Sequence, residues 1–132
     1  MDVETGRWLR QAEADLASAR DSARALHFEW ACFQAQQSGE KALKAVLYER
    51  GVRAVLTHSL VDLVRHCAPV APALASLERE ARYLDQFYIP TRYPNGLPGE
   101  SAPAEFYSAE EAAACTRCAE SILRAAKTTL SA

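Results

Sequence analysis

EWACFQAQQSGEKALKAVLYERG, residues 29–51, is the stretch on which the fold turns. Small and apolar residues recur at Cys32, Ala35, Gly39, Ala42 and Val46, flanked by Leu43 and Leu47. That is the three-and-four spacing of one helical face, not the alternation of a strand. The spacing predicts a helix from Glu29 to about Arg50, stopped by Gly51, which can take the positive φ of a helix C-terminus. A stripe made of Ala, Gly and Cys implies that neighbouring helices approach closely.

Working toward the N-terminus, Trp8, Ala12, Leu16, Ala19, Ala23 and Leu26 form a second such stripe, so a helix is expected from Glu4 to about Leu26. Toward the C-terminus, Thr57 is expected to cap a short helix from Ser59 to about Cys67, with Leu60, Val61 and Val64 inward. Pro72 suits the first turn of a fourth helix carrying Leu74, Leu77, Ala81, Leu84 and Tyr88. Ser108-Ala-Glu-Glu111 has capping-box spacing, and Ala112, Cys115, Ala119, Ile122, Ala126 and Leu130 line one face of the helix that follows. No segment alternates long enough to be a strand. The expectation is a single all-α domain over residues 1–132, an antiparallel up-and-down bundle of four main helices and one short one.

Between the fourth helix and the last lies FYIPTRYPNGLPGE, residues 87–100, rich in Pro and Gly. A connection of roughly twenty residues, Tyr88 to Tyr107, exceeds the ~12–15 at which structureless loops become unusual, which marks it as functional or disordered. We read it as functional.

The chain has 132 residues, 49% hydrophobic and 24% charged, which is enough for one core. A formal charge of −2 gives no global attraction to DNA or to an anionic membrane, so a phosphate ligand must meet a local cluster. No run of 18 apolar residues and no apolar leader is present, and cytoplasmic residence is the expectation. Without an export signal, the four cysteines are expected as free thiols. Cys115-x-x-Cys118 has redox-motif spacing. In mid-helix, however, positions i and i+3 hold their Cβ atoms ~5–6 Å apart, beyond the ~3.8 Å a disulfide prefers. A zinc site would need two further ligands. Packing cysteines are expected, and no metal or cofactor.

Arg92 is the leading candidate for ligand binding, because a guanidinium makes bidentate contacts to phosphate. Tyr93 beside it can stack on a base, and Pro94 keeps Tyr93 extended. The competing reading is an Arg92 that pins its loop to a carboxylate such as Asp85. Lys41 and Lys44 can converge with Arg92 on a phosphate, or belong to a salt-bridged surface in which Glu40 pairs with Lys44. His58 either fixes the turn into the third helix or reaches the same site.

The runs FQAQQSGEKALKAVLYERG, THSLVDLVRHC, LDQFYIPTRYPN and FYSAEEAAACTRCAESIL, in that order, resemble the HEPN domain. Glu40–Lys44, Thr57–Leu60 and Thr91–Pro94 carry the resemblance most specifically. It implies a helical bundle that commonly forms homodimers and is often paired with a minimal nucleotidyltransferase. One branch is associated with nucleotide binding, of ATP or GTP type. Other branches are metal-independent ribonucleases, many of them toxins, with an R-x4-6-H motif near the start of the final long helix. There the histidine does acid–base work and the arginine stabilises phosphorane charge. Here Arg53 and His58 fit that spacing, as do Arg20 and His27, but both pairs lie upstream and the final helix has no histidine. Matches of this kind arise by chance in an arginine-rich chain. The resemblance therefore favours a nucleotide- or partner-binding module. A ribonuclease using Arg53 and His58 is the enzyme alternative, and a purely structural dimerisation module the third.

Overall fold

The computed structural model describes residues 1–53 and 55–131, which form six α-helices and, among the described residues, no strand. The helices are α1 (Val3–Arg24), α2 (Phe28–Glu49), α3 (Leu60–Cys67), α4 (Glu78–Asp85), α5 (Pro103–Phe106) and α6 (Ala109–Ser131). The all-α bundle read from the sequence is the observed architecture.

Helix α2 is the central member, packed by α1, α3, α4 and α6. Its small residues are what allow this. A Cβ placed on Gly39 would lie 2.6 Å from Leu60 Cδ2, 3.3 Å from Leu84 Cδ1 and 3.4 Å from Ile122 Cδ1, so three helices converge on the bare glycine. On the α1 side, Ser38 Oγ donates to the Ala12 carbonyl at 2.7 Å. Leu9, Ala12, Leu16 and Ala19 of α1 are buried there, and Ala112, Cys115, Ala119, Ile122, Leu123 and Ala126 close the core from α6.

The first two helices end alike. At Gly51 (φ 79°) the amides of Gly51 and Val52 return to the carbonyls of Tyr48 and Leu47. At Leu26 (φ 67°) those of Leu26 and His27 return to Ala23 and Ser22. Both are Schellman closures, the second made without glycine. Leu26, expected on the buried stripe, is instead 71% exposed, because the left-handed turn throws its side chain outward.

Three other boundaries differ from expectation. The cap of α3 is Ser59, whose Oγ accepts from the Asp62 amide at 3.2 Å. Thr57 sits outside the helix, accepting from the Ser59 amide and donating to Asp62. The fourth helix is divided into a 3-10 segment, Pro72–Leu77, followed by α4, and both Leu74 and Leu77 are buried. A spacing of three matches the three residues per turn of a 3-10 helix. Finally, the connection from Tyr88 to Tyr107 is not structureless. It holds a 3-10 turn at Pro94–Gly96 and the single turn of α5, and buried Thr91 donates its hydroxyl to the Phe87 carbonyl at 2.7 Å. The capping box at Ser108 and Glu111 forms as its spacing predicts.

The cysteines are free thiols. Cys32, Cys67 and Cys115 are buried, whereas Cys118 is only half-buried at the bundle edge. No helix among the described residues is long and apolar enough to cross a membrane.

Candidate functional site

A buried polar stripe interrupts the apolar face of α2. Gln36, Glu40 and Lys44 are spaced by four residues, so one helical face carries all three. Glu40 and Lys44 form an ion pair at 3.0 Å with side chains only 5% and 8% exposed. The Lys44 ammonium also lies 5.6 Å from the Trp8 ring centre. A lone charge at such depth would be strongly unfavourable, so each residue depends on the other.

From this stripe the site is built outward. Gln36 donates to the His58 backbone carbonyl at 3.2 Å, and Glu40 Oε2 lies 3.2 Å from His58 Nδ1. The His58 ring then stacks on Tyr88, with centroids 4.9 Å apart and planes inclined by 19°. Backbone, ring nitrogen and ring face are all held, yet the side chain remains 53% exposed.

Tyr88 joins His58 to the long connection. Arg92 Nε donates to the Tyr88 carbonyl at 2.9 Å, a turn-like return across four residues. Its guanidinium carbon lies 4.4 Å from the Phe33 ring centre, 4.7 Å from that of Tyr88 and 5.3 Å from that of Tyr93. These are cation–π distances. No carboxylate pairs with Arg92 among the described residues. The proposed pin to Asp85 is absent because that carboxylate is already committed to the start of α3. It accepts from Ser59 Oγ at 2.9 Å, from the Leu60 amide at 2.6 Å and from the Val61 amide at 3.2 Å.

His58 and Arg92, two separate candidates from the sequence, thus meet on one tyrosine ring. Tyr93 borders them at 50% exposure. The lysines are placed differently. Lys41 bonds to Asp15 of α1 and to Gln37, in a cleft shared with Trp8 and Gln11. It stands eight residues from Phe33, ~12 Å along the helix. Lys44 reaches the site only through Glu40 and His58. Arg53 is bound to Asp2 at 3.0 Å and lies 5.2 Å from the Tyr48 ring centre. Tyr48 is itself eight residues from Glu40, again ~12 Å along α2. Arg53 is therefore anchored at the C-terminal end of α2, on Asp2 and Tyr48 rather than beside the carboxylate that holds His58.

Sequence reasoning missed Gln36, Phe33 and Tyr88 as members of this cluster, and saw Glu40 only as a partner for Lys44. The polar spacing of Gln36, Glu40 and Lys44 within an apolar helix was the available signal. Chemically, the cluster offers a half-buried guanidinium without a carboxylate partner among the described residues, an oriented imidazole and an aromatic rim.

Comparison with known proteins gives this arrangement a family. Over 124 residues the chain is 28% identical to human sacsin, covering 92% of this chain and 3% of sacsin. It is 28% identical to Putative toxin MJ1304 of Methanocaldococcus jannaschii, covering 91% of this chain and 84% of that protein. The chain thus spans only a small piece of sacsin and most of the archaeal relative. Among solved structures, TT1696 from Thermus thermophilus superposes with a TM-score of 0.88 at 34% identity, covering 95% of this chain and 97% of that one. ST0689, an archaeal HEPN homologue, gives 0.77 at 35% identity over 94% and 95% of the two chains. With residues 5–129 matching the HEPN domain family as well, this chain belongs to the HEPN family.

Proposed function

We propose that this HEPN domain binds a nucleotide of ATP or GTP type at the His58–Tyr88–Arg92 cluster. The observation that carries the reading is the Arg92 guanidinium, held by one backbone bond and three aromatic rings and lacking any carboxylate partner among the described residues. An arginine kept in place by π-faces retains N–H donors for the two oxygens of a phosphate. Tyr93, half exposed beside it, supplies a stacking face for the base. Lys44 acts indirectly, by securing Glu40, whereas Lys41 is neutralised by Asp15 and stands apart from the cluster.

Calorimetric titration with ATP and GTP tests this reading. Saturable binding by the native chain, lost in Arg92→Ala with unchanged circular dichroism, is expected. Equal binding by both proteins would remove Arg92 from the site. The family resemblance adds a homodimer and a separately encoded nucleotidyltransferase as partners in the cytoplasm. Light scattering and co-purification with such an enzyme test those two assemblies.

A second reading is metal-independent RNA cleavage, favoured by one observation: a carboxylate orients His58, as an acid–base imidazole requires. Arg53 is anchored elsewhere, so Arg92 would have to hold the phosphate. RNA that stays intact with native protein in chelator would sink this reading, and cleavage abolished by His58→Ala would establish it.

A further inference from the structure

The core-facing residues of α6 are Ala112, Cys115, Ala119, Ile122, Leu123 and Ala126. At ~3.6 residues per turn, the opposite side of the helix carries Glu110, Ala113, Ala114 and Arg117, at intervals of three, one and three. Glu110, Ala113 and Arg117 are exposed, and Ala114 is half-buried. Ion pairs are frequent elsewhere on this surface, yet neither Glu110 nor Arg117 has an opposite charge at pairing distance among the described residues.

Turned end over end, this pattern falls on itself. A second α6 laid antiparallel, with a twofold axis between Ala113 and Ala114, sets Glu110 of each copy against Arg117 of the other. Alanine then meets alanine at the centre, where small side chains let the helix axes approach to the near end of the usual ~8–10 Å. Such self-complementarity is what an isologous contact requires. Beside Arg117, a groove of about 230 Å³ between α4 and α6 is lined by Arg79, Glu80, Tyr83, Ala114, Arg117 and Cys118. Arg79 also lacks a carboxylate partner among the described residues, so a carboxylate arriving there meets two guanidiniums and one competing acid, Glu80. A purely acidic partner would satisfy the arginines but face Glu110 with like charge. A second copy satisfies both.

We propose that the outer face of α6 is a twofold interface between two copies of this chain, registered by reciprocal Glu110–Arg117 pairs. This rests on the homodimer named above and assigns its face. Exposed ion pairs add little affinity, and their part here is to fix register and orientation.

The test is sedimentation of the native chain, Glu110→Arg and Arg117→Glu over a concentration series, with circular dichroism to confirm that each is folded. Each reversal sets like charges together at two places in the dimer and should raise its dissociation constant at least about tenfold. Mixing the two single variants should restore native affinity, because in the mixed dimer both pairs are opposite in sign again. A merely structural role for either residue predicts no such rescue. Ala113→Glu, which brings carboxylates to the twofold axis, should also dissociate the dimer without touching either charged residue. A native dimer that none of the variants weakens overturns this face and leaves the homodimer standing. So does weakening by the single variants that mixing fails to repair. A native chain that stays monomeric throughout removes the homodimer, and this inference with it.

Discussion

The Asp85 carboxylate accepts the backbone amide of Leu60 at 2.6 Å, across 25 residues of sequence. Two more donors, from Ser59 and Val61, complete a cap supplied by α4 to α3. Negative charge at a helix N-terminus is stabilising, and here it also sets where the segment containing His58 enters the bundle. Asp85→Ala should lower stability by about 2 kcal/mol, within the range for hydrogen bonds to charged acceptors. Urea denaturation with an unchanged slope would check it, and a loss below a few tenths of a kcal/mol would show the cap to be unimportant.

Gly39→Ala tests the close approach at the centre of α2. The added Cβ meets Leu60, Leu84 and Ile122, all fully buried, so their methyl groups have nowhere to retreat. Helix propensity alone would favour alanine. Overpacking should prevail, with a net loss of ~1–3 kcal/mol. A rise in melting temperature would contradict this packing.

Leu26→Gly should act in the opposite direction. Leu26 adopts φ 67° and is 71% exposed, so its side chain contributes little packing while its backbone is strained. Relief of left-handed strain, partly offset by glycine's greater unfolded freedom, predicts a gain of ~0.5–1 kcal/mol. Thermal unfolding of the single variant is sufficient to measure it.

Lys44→Met should be strongly destabilising. It leaves Glu40 buried without its counter-charge, an effect of ~3–5 kcal/mol. Glu40→Gln combined with Lys44→Met should recover much of that loss. A double-mutant cycle in which the two losses simply add would mean that the pair is not coupled.

Alkali should unfold the protein by a traceable route. Burial raises the Tyr83 and Tyr107 phenols from the ordinary 10.0 to about 12, and the Cys67 thiol from 9.0 to about 12. In that window the unfolded chain binds fewer protons than the native one, so stability falls as pH rises. Stability from these groups should be fully present below pH 9.0 and lost progressively toward about 12. Native protein should expose one accessible thiol, Cys118, to a disulfide reagent at pH 8, reacting slowly because burial holds it above the ordinary thiol range, and all four after denaturation.

The helices were legible because each is a local statement. Spacing along α2, the Gly51 stop and the Ser108–Glu111 capping box depend on residues within one or two turns, and they appear where the sequence places them. One error fell where a distant residue intervened, the other where a local turn broke the pattern. Thr57 looked like a cap because Ser59 and its partner Asp85 could not be weighed together from sequence, and Leu26 continued a stripe that the Schellman turn had already broken.

Sequence alone determined the helical bundle, its small-residue packing face and the separate candidacies of His58 and Arg92, since these follow from periodicity and side-chain chemistry. Only the tertiary structure decided that Tyr88 unites those two residues, that Glu40 rather than solvent holds the imidazole, and that Arg53 is occupied elsewhere. The reason is physical: a contact between residues 30 or 50 positions apart is set by how helices pack around Gly39, and no local pattern encodes where such packing will bring a side chain.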